Sequence, residues 1–482
     1  MTEQDAPVGI AAHFCSTGYL WPDMFDRLRR SWRRIHETIA HPGVRNAGWI
    51  GVEKIGRMAL SLLVGIFVVR QLGPDRYGTY AYVLTWATVF SPLALFGIGE
   101  NTVRHLVGSP AHEGRVLATA ALLRVGSSLL AALLTLMAFL SAGTHADATT
   151  GQLSIAMTTL FVYPLLVFEP YFQAHSKARI ITMCGLGSAL VAAAVKVCGI
   201  LSAAPVGFFL AAHALETGLL SACLLGAYLF TTAAPRKWAF DRALAWMLCK
   251  EALPMIIGGF AILIYNQSDM LLLGMLLDSP HQVGLYSAAC RVSTMWVFIP
   301  MAVITSASPF LYRFLADHDA RYEPRLLQMT AFCIAIAYGF CLIVTIFPEL
   351  ILRILFGAEF VDAAPALRVH VWSNIFSILG MAQNSWILGR GLLWVAVQNT
   401  ILGATINLVF NVFVIPSYGA VGASWTTVIA MAAATIGAMA IRPATRDLAL
   451  LHLRALTLSG LVTTAHQPPL SSTTHAGERH TR

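Results

Sequence analysis

The sequence predicts an all-α integral membrane protein, with about 12 transmembrane helices in two six-helix bundles related by a parallel internal repeat. Three observations carry this reading. Hydrophobic residues make up 57% of the chain, charged residues only 12%, and mean hydropathy is +0.68. A soluble chain of this size needs about 25% charged residues to cover its surface. The apolar residues also come in unbroken runs of about 20, enough for a helix to cross ~30 Å of hydrocarbon. A membrane barrel would show ten-residue alternating segments instead. Finally, the chain contains one of its own hairpins twice.

The first copy lies within 49–99, where two apolar runs flank Leu72-Gly73-Pro74-Asp75-Arg76-Tyr77-Gly78. Gly and Pro there punctuate the helical pattern. The second copy runs from Asn266 to Val303. Tyr77-Gly78-Thr79-Tyr80-Ala81 aligns with Val283-Gly284-Leu285-Tyr286-Ser287, and a mid-span proline follows each, Pro92 and Pro300. Near the end of each half a small-residue turn enters a helix, Ala204-Pro205-Val206-Gly207 and Ala420-Val421-Gly422-Ala423. Spans are expected at 49–70, 77–99, 116–141, 152–173, 179–199, 206–230, 251–277, 284–309, 326–347, 365–388, 392–415 and 420–441. The expected domains are a cytoplasmic tail with a basic amphipathic helix (1–48), a first bundle (49–230), a cytoplasmic connector (231–250), a second bundle (251–441) and a cytoplasmic tail (442–482). Pro254, Gly258 and Gly259, like Pro92 and Pro300, are expected kink points.

The N-terminal residues carry Glu3 and Asp5 and no basic n-region, so no cleaved signal peptide is expected. Phe25, Leu28, Trp32, Ile35 and Ile39 recur at helical spacing among Arg27, Arg29, Arg30, Arg33 and Arg34. That is a basic helix suited to an anionic membrane surface, read as a topology anchor rather than a nucleic-acid element. With a cytoplasmic N-terminus, only Arg70, Arg76, Arg353 and Arg368 fall outside, while Arg124, Lys196 and Arg291 lie within spans. The rest of the 32 Lys and Arg fall inside. The positive-inside rule therefore puts both termini in the cytoplasm. Leu448 to Val462, with His452 and Arg454, is expected to lie on the membrane, and 466–482 reads as disordered.

Several chemistries find no support. The eight cysteines form no CxxC pair and read as small buried hydrophobes, not a disulfide or zinc framework. No Walker A sequence is present, and His213 and His370 are lone, without metal-ligand spacing. Asp317-His318-Asp319 matches the bare DxD of nucleotide-sugar transferases, but in a short charged loop it reads as a solvated turn. Asn266-Gln267-Ser268 is a sequon inside a span and has no glycosylation meaning. No catalytic residue, metal site, cofactor or nucleic-acid partner is expected.

Val68 to Ala81 (VVRQLGPDRYGTYA), Asp269 to Val292 and Asn411 to Ala430 (NVFVIPSYGAVGASWTTVIA) resemble bacterial oligosaccharide flippases. These form the polysaccharide-exporter branch of the multidrug/oligosaccharidyl-lipid/polysaccharide exporter superfamily, and the resemblance covers roughly 46–445. It implies two bundles around a central cavity, with the first, second, seventh and eighth spans at its mouth. It also implies flipping of undecaprenyl-diphosphate-linked repeat units across the bacterial inner membrane for O-antigen, capsule or exopolysaccharide synthesis. A polysaccharide polymerase and a chain-length regulator are the partners such a pathway implies. The related lipid II flippases resemble the chain in arginines of the first and eighth spans, matched by Arg57 and Arg291. Their second-span arginine has no counterpart between Tyr77 and Gly99, which argues against lipid II as cargo.

A charge in mid-span costs ~2.5–3.5 kcal/mol on insertion scales and should face a partner or water. Arg291 lies about 12 Å inside the eighth span, at a depth matching Asp269 on the seventh. The two are expected either to pair, bracing the hairpin, or to compete, with Arg291 binding diphosphate or acidic sugar. Arg57 follows Glu53 by one turn, a spacing that favours an ion pair, and it either snorkels or binds substrate. Arg124 is too deep to snorkel. Glu216, near mid-span, is expected to bind a proton or sodium or to neutralise Arg124, and Lys196 to snorkel. The candidate substrate-binding residues are thus Arg291, Arg57 and Arg124, and the candidate coupling or ion-pair residues Asp269, Glu216 and Glu53. A multidrug cation antiporter would want net acidic residues in the cavity. A membrane polymerase or transferase would want a large outside loop, whereas Pro348 to Pro365 offers only Glu349, Arg353, Glu359 and Asp362.

Overall fold

The computed structural model describes residues 42–108, 112–143, 146–231, 238–317 and 319–462. The expected basic helix before Pro42, residues 232–237 of the connector and the tail at 466–482 lie outside the described residues.

Helix α1 (Pro42–Val89) holds both apolar runs of the first hairpin, and its two limbs meet at Gly73, with φ 68 and ψ 174. Glycine takes that positive φ without steric cost. Pro74 then opens the second limb, where its missing N–H leaves no hydrogen bond unmade. After it come α2 (Glu113–Ala142), α3 (Thr150–Ala174), α4 (Ala178–Leu201) and α5 (Val206–Thr231). The second half runs α6 (Arg242–Leu277), α7 (Pro280–Thr294), α8 (Phe298–Ala316), α9 (Tyr322–Ile346), α10 (Ser373–Gly389), α11 (Leu393–Ala432) and α12 (Arg446–Leu456). Like α1, α11 is broken at a positive-φ glycine, Gly419 (φ 52). The second hairpin turns at Asp278, and the Ser279 hydroxyl caps α7 by accepting from the Gln282 N–H at 3.3 Å, with Pro280 in the first turn.

The described residues are almost wholly helical and contain no strand. Eight helical stretches among them are long and apolar enough to cross a bilayer, the last running unbroken in assignment from Trp394 to Ile441 across Gly419. This set differs from the expected twelve in leaving out α1, the 15-residue α7 and the 17-residue α10. Leu129, Leu133, Met137 and Leu140 of α2 are exposed, an apolar surface suited to lipid.

Two expected kink prolines instead stand just past helix ends. α1 stops at Val89 ahead of Pro92, and α7 stops at Thr294 ahead of Pro300, so the runs 77–99 and 284–309 are each interrupted. Pro254 lies within continuous α6.

One large apolar core draws on both halves, including Tyr82, Phe139, Phe209, Tyr286 and Phe360. A second belongs to the first half and neighbouring α6, around Phe168, Phe172 and Leu224, and a third to the second half, around Leu326, Trp386 and Met439. Between the halves the repeat glycines meet. A Cβ on Gly78 would come 1.8 Å from the Pro280 carbonyl oxygen, and one on Gly284 would come 1.9 Å from that of Pro74. Such backbone-on-backbone packing requires the absence of a side chain. Close by, Ala146 N–H donates to Asp278 Oδ1 at 3.0 Å, and His281 Nδ1 lies 3.3 Å from Asp75 Oδ1. The halves are therefore joined tightly at the end that carries Gly73 and Ser279.

The segment expected on the membrane surface forms α12, which turns Leu448, Leu451 and His452 inward against the protein. Tyr338 of α9 donates to the Leu456 carbonyl at 3.1 Å, and burial pushes the His452 imidazole down to about 4.

Candidate functional site

A cavity of about 550 Å³ opens in the first half, lined by the first limb of α1, Tyr77 and Tyr80 of its second limb, α3, α4 and α5, with Arg291 of α7 reaching in from the second half. Three carboxylates, Glu53, Glu169 and Glu216, and four cationic side chains, Lys54, Arg57, Lys196 and Arg291, line it. Glu53 and Arg57 share a face because they are one turn apart. Arg57 Nη1 donates to Glu53 Oε1 at 3.0 Å and Nη2 to Glu216 Oε1 at 3.3 Å. The other Glu216 oxygen accepts from Lys196 Nζ at 3.2 Å. A chain of ion pairs thus runs from α1 to α5 to α4. Glu216 is neutralised by Arg57 and Lys196, not by Arg124, and Lys196 turns into this chain rather than snorkelling away.

Arg291 departs from its expected pairing. Its Nη2 donates to the Ser61 carbonyl oxygen at 2.7 Å, and no carboxylate pairs with it among the described residues. Asp269 is bound elsewhere, and helical geometry gives the reason. Tyr286, the residue of α7 that bonds Asp269, is five positions before Arg291, or about 140° around the helix at 100° per residue. One face of α7 meets α6, the other meets α1. Matching depth could not reveal that.

Asp269 forms the centre of a second polar cluster, only 2% exposed. Its carboxylate accepts from Tyr286 Oη at 2.5 Å, from Thr427 Oγ1 at 2.7 Å and from Asn411 Nδ2. Asn407 Oδ1 in turn accepts from Asn411 Nδ2 at 3.0 Å and from Ser268 Oγ at 2.6 Å. Asn407 and Asn411 reach the same spot because they are one turn apart on α11. No cation pairs with Asp269 among the described residues.

Arg124 is 4% exposed and stands apart from the lining of the cavity. It lies beside Ser127 and Ser128, which each donate to the Ala94 carbonyl at 3.3 Å, while its own Nε and Nη1 have no hydrogen-bond partner. The structure brings together Arg57, Glu53, Glu216 and Arg291, and leaves Arg124 and Asp269 in separate places. Sequence reasoning missed Glu169, a carboxylate inside the expected span 152–173 that the insertion cost alone should have singled out. It also missed Asn407 and Asn411, visible as a polar pair in an apolar run, and Tyr286 and Thr427, which carry no such signal. Among the described residues no group of three His, Cys, Asp or Glu is arranged to hold a metal ion.

The model of a family described as polysaccharide biosynthesis protein matches residues 44–315. A relative named probable low-salt glycan biosynthesis flippase Agl15, from Haloferax volcanii, is 26% identical over 187 residues, 37% of this chain and 38% of that protein. An uncharacterized membrane protein of Methanocaldococcus jannaschii is 31% identical over 103 residues, 21% of this chain and 19% of its own length. The chain thus spans well under half the length of these curated relatives. Among solved structures, lipid II flippase MurJ in an inward closed conformation aligns with TM-score 0.62 and 13% identity, covering 87% of this chain and 93% of that one. The inward-facing conformation of a multidrug resistance MATE family transporter of the MOP superfamily aligns with TM-score 0.59 and 17% identity, covering 84% and 95%. At these identities the likeness is one of fold.

Proposed function

Because the chain belongs to the polysaccharide biosynthesis protein family, whose model matches more than half of it, we propose that it is a multi-pass membrane flippase for a lipid-linked oligosaccharide. The finer reading is an undecaprenyl-diphosphate-linked repeat unit, moved across a bacterial inner membrane for surface polysaccharide synthesis, with both termini cytoplasmic. The chain acts by translocation, as two bundles rocking about the Gly78–Gly284 seam. A sugar-diphosphate head cannot cross hydrocarbon unaided, while each CH₂ of the lipid contributes ~0.8 kcal/mol to staying in it. A polar cavity that takes the head and leaves the tail in lipid meets both demands. Outward movement of an anion is driven by a negative-inside potential and gains ~2.3 kcal/mol per charge per 100 mV.

The observation that carries this reading is Arg291, a cavity arginine with no carboxylate on it. Arg57 and Lys196 are already paired, and Lys54 is an ammonium without the two-pronged donor geometry that suits phosphate, so Arg291 is the cation that supports a role as anchor for the diphosphate, with Arg57 in reserve. Arg124 lies behind the wall and supports packing instead. A cavity with more cations than carboxylates also opposes a cationic drug as cargo. Asp269, buried and held by neutral donors, supports a coupling role in which a proton or sodium ion binds in the second half. The experiment is flipping of a fluorescent lipid-linked oligosaccharide by the purified protein in proteoliposomes. Losing a charge-assisted hydrogen bond worth ~1.5–3 kcal/mol, Arg291→Ala is expected to flip about 10- to 100-fold more slowly, and Arg291→Lys to keep part of the rate. An unchanged rate in normally folded Arg291→Ala would sink the anchor.

A further inference from the structure

The guanidinium of Arg291 lies where a side chain at position 65 would be. A Cβ on Gly65 would stand 1.5 Å from Nη2, 2.4 Å from Cζ and 3.1 Å from Nη1. Nη2 donates to the carbonyl oxygen of Ser61, one turn earlier on the same limb of α1. The arginine is thus seated in a notch cut into α1 by the missing side chain. Gly65 has no positive φ, so backbone conformation does not require glycine there, and a glycine within a helix is otherwise disfavoured. Space for Arg291 is what it supplies. Ser61, Gly65 and Arg291 all line the cavity, while Arg291 Nε is buried without a partner.

We propose that Gly65 is the positioning residue for Arg291, and that diphosphate binding draws the guanidinium out of the Gly65 notch and so frees α7 from the first limb of α1. The proposal rests on the reading of Arg291 as the diphosphate anchor. The exchange favours the anion, because a neutral carbonyl gives way to charged oxygens that accept two parallel N–H bonds. Glu53 and Glu216 do not compete, since Arg57 and Lys196 hold them, and Glu169 accepts from Gln173 Nε2 at 3.1 Å rather than from Arg291. The Gly78–Gly284 seam lies outside the notch, so opening at the notch leaves the far end joined.

Gly65→Ala is a clean probe, because the atoms it meets are the far end of a flexible side chain and move without disturbing backbone. Spin labels at Leu63 and Thr294, both exposed, would report the separation of α1 and α7 in a background with the eight native cysteines replaced. The protein is held in lipid nanodiscs, and inorganic diphosphate is the added anion. The unmodified notch should give a short distance that lengthens with diphosphate, and Gly65→Ala should give the longer distance without it. In an Arg291→Lys background, Gly65→Ala should change nothing. A Gly65→Ala distance equal to that of the glycine protein overturns the notch, as does a shift that persists with Arg291→Lys. If diphosphate leaves the glycine protein unmoved while Gly65→Ala lengthens the distance, the notch stands and the anchor reading of Arg291 falls.

Discussion

On the cavity wall, Glu53, Arg57, Glu216 and Lys196 neutralise one another through ion pairs of 3.0–3.3 Å beside open space. In the second half, Asp269 is closed off from solvent and held by Tyr286, Thr427 and Asn411, none of them charged. These side chains are only 11–33% exposed, so losing a partner outright is costly, but a charged ligand in the cavity can take a partner's place without leaving a lone buried charge. Losing a buried acceptor leaves its donors short of partners: Tyr286 Oη keeps only a 3.4 Å contact with Thr427, Asn411 keeps Asn407 and Thr427 the Ala423 carbonyl. The wall is a set of interchangeable charge partners, and the cluster a single fixed arrangement around one buried carboxylate.

Breaking the cluster should have the largest effect. Asp269→Ala removes the acceptor of three buried donors, each costing ~1–3 kcal/mol when unpaired. Unfolding in detergent should show stability lower by ~3 kcal/mol or more. A loss under about 1 kcal/mol would mean that the cluster is no more demanding than the wall.

The wall should respond through binding more than through stability. Glu216→Gln frees Lys196 and half of Arg57, which keeps Glu53, so stability should fall by less than the ~3 kcal/mol expected of Asp269→Ala. Titration with inorganic diphosphate should show about 3- to 10-fold tighter binding, with a steeper dependence on salt. Unchanged affinity would remove Arg57 from the anion site and leave Arg291 alone there.

The smallest effect is expected outside both regions. Asp319 accepts from the Arg321 guanidinium, with contacts down to 2.6 Å, and that bond holds its carboxyl below the ordinary carboxylate range. A depressed value means the bond is intact at neutral pH and is lost as pH falls through the lowered value. Asp319→Asn should leave flipping within about twofold, as for surface sites generally. Loss of function there would revive the nucleotide-sugar reading of Asp317 and Asp319.

Much of the architecture was legible because a bilayer acts on run length and on the position of charge, both of them local properties. The helical class, the equivalence of Gly78 and Gly284 in the two hairpins, and the Glu53–Arg57 pair all follow from spacing along the chain, whereas the packing of the two glycines on each other does not. The boundaries at Val89 and Thr294 did not, because a proline marks a break only to within a turn, and packing chooses the residue. The burial of His452 escaped notice for a related reason. A short amphipathic run reads the same whether its apolar face meets lipid or α9.

The sequence by itself singled out most of the charges inside the apolar runs and gave each an expected depth, since rise per residue converts position into depth. Only the tertiary structure decided which way they face. Rotation about the helix axis, bends at Gly73 and Gly419 and the approach of distant helices set azimuth, and none of these is a function of depth. That is why Arg291 and Asp269, expected at matching depth on neighbouring spans, belong to different sites. It is also why the space left by Gly65, a residue with no side chain to read, decides where the cavity's unpaired arginine rests.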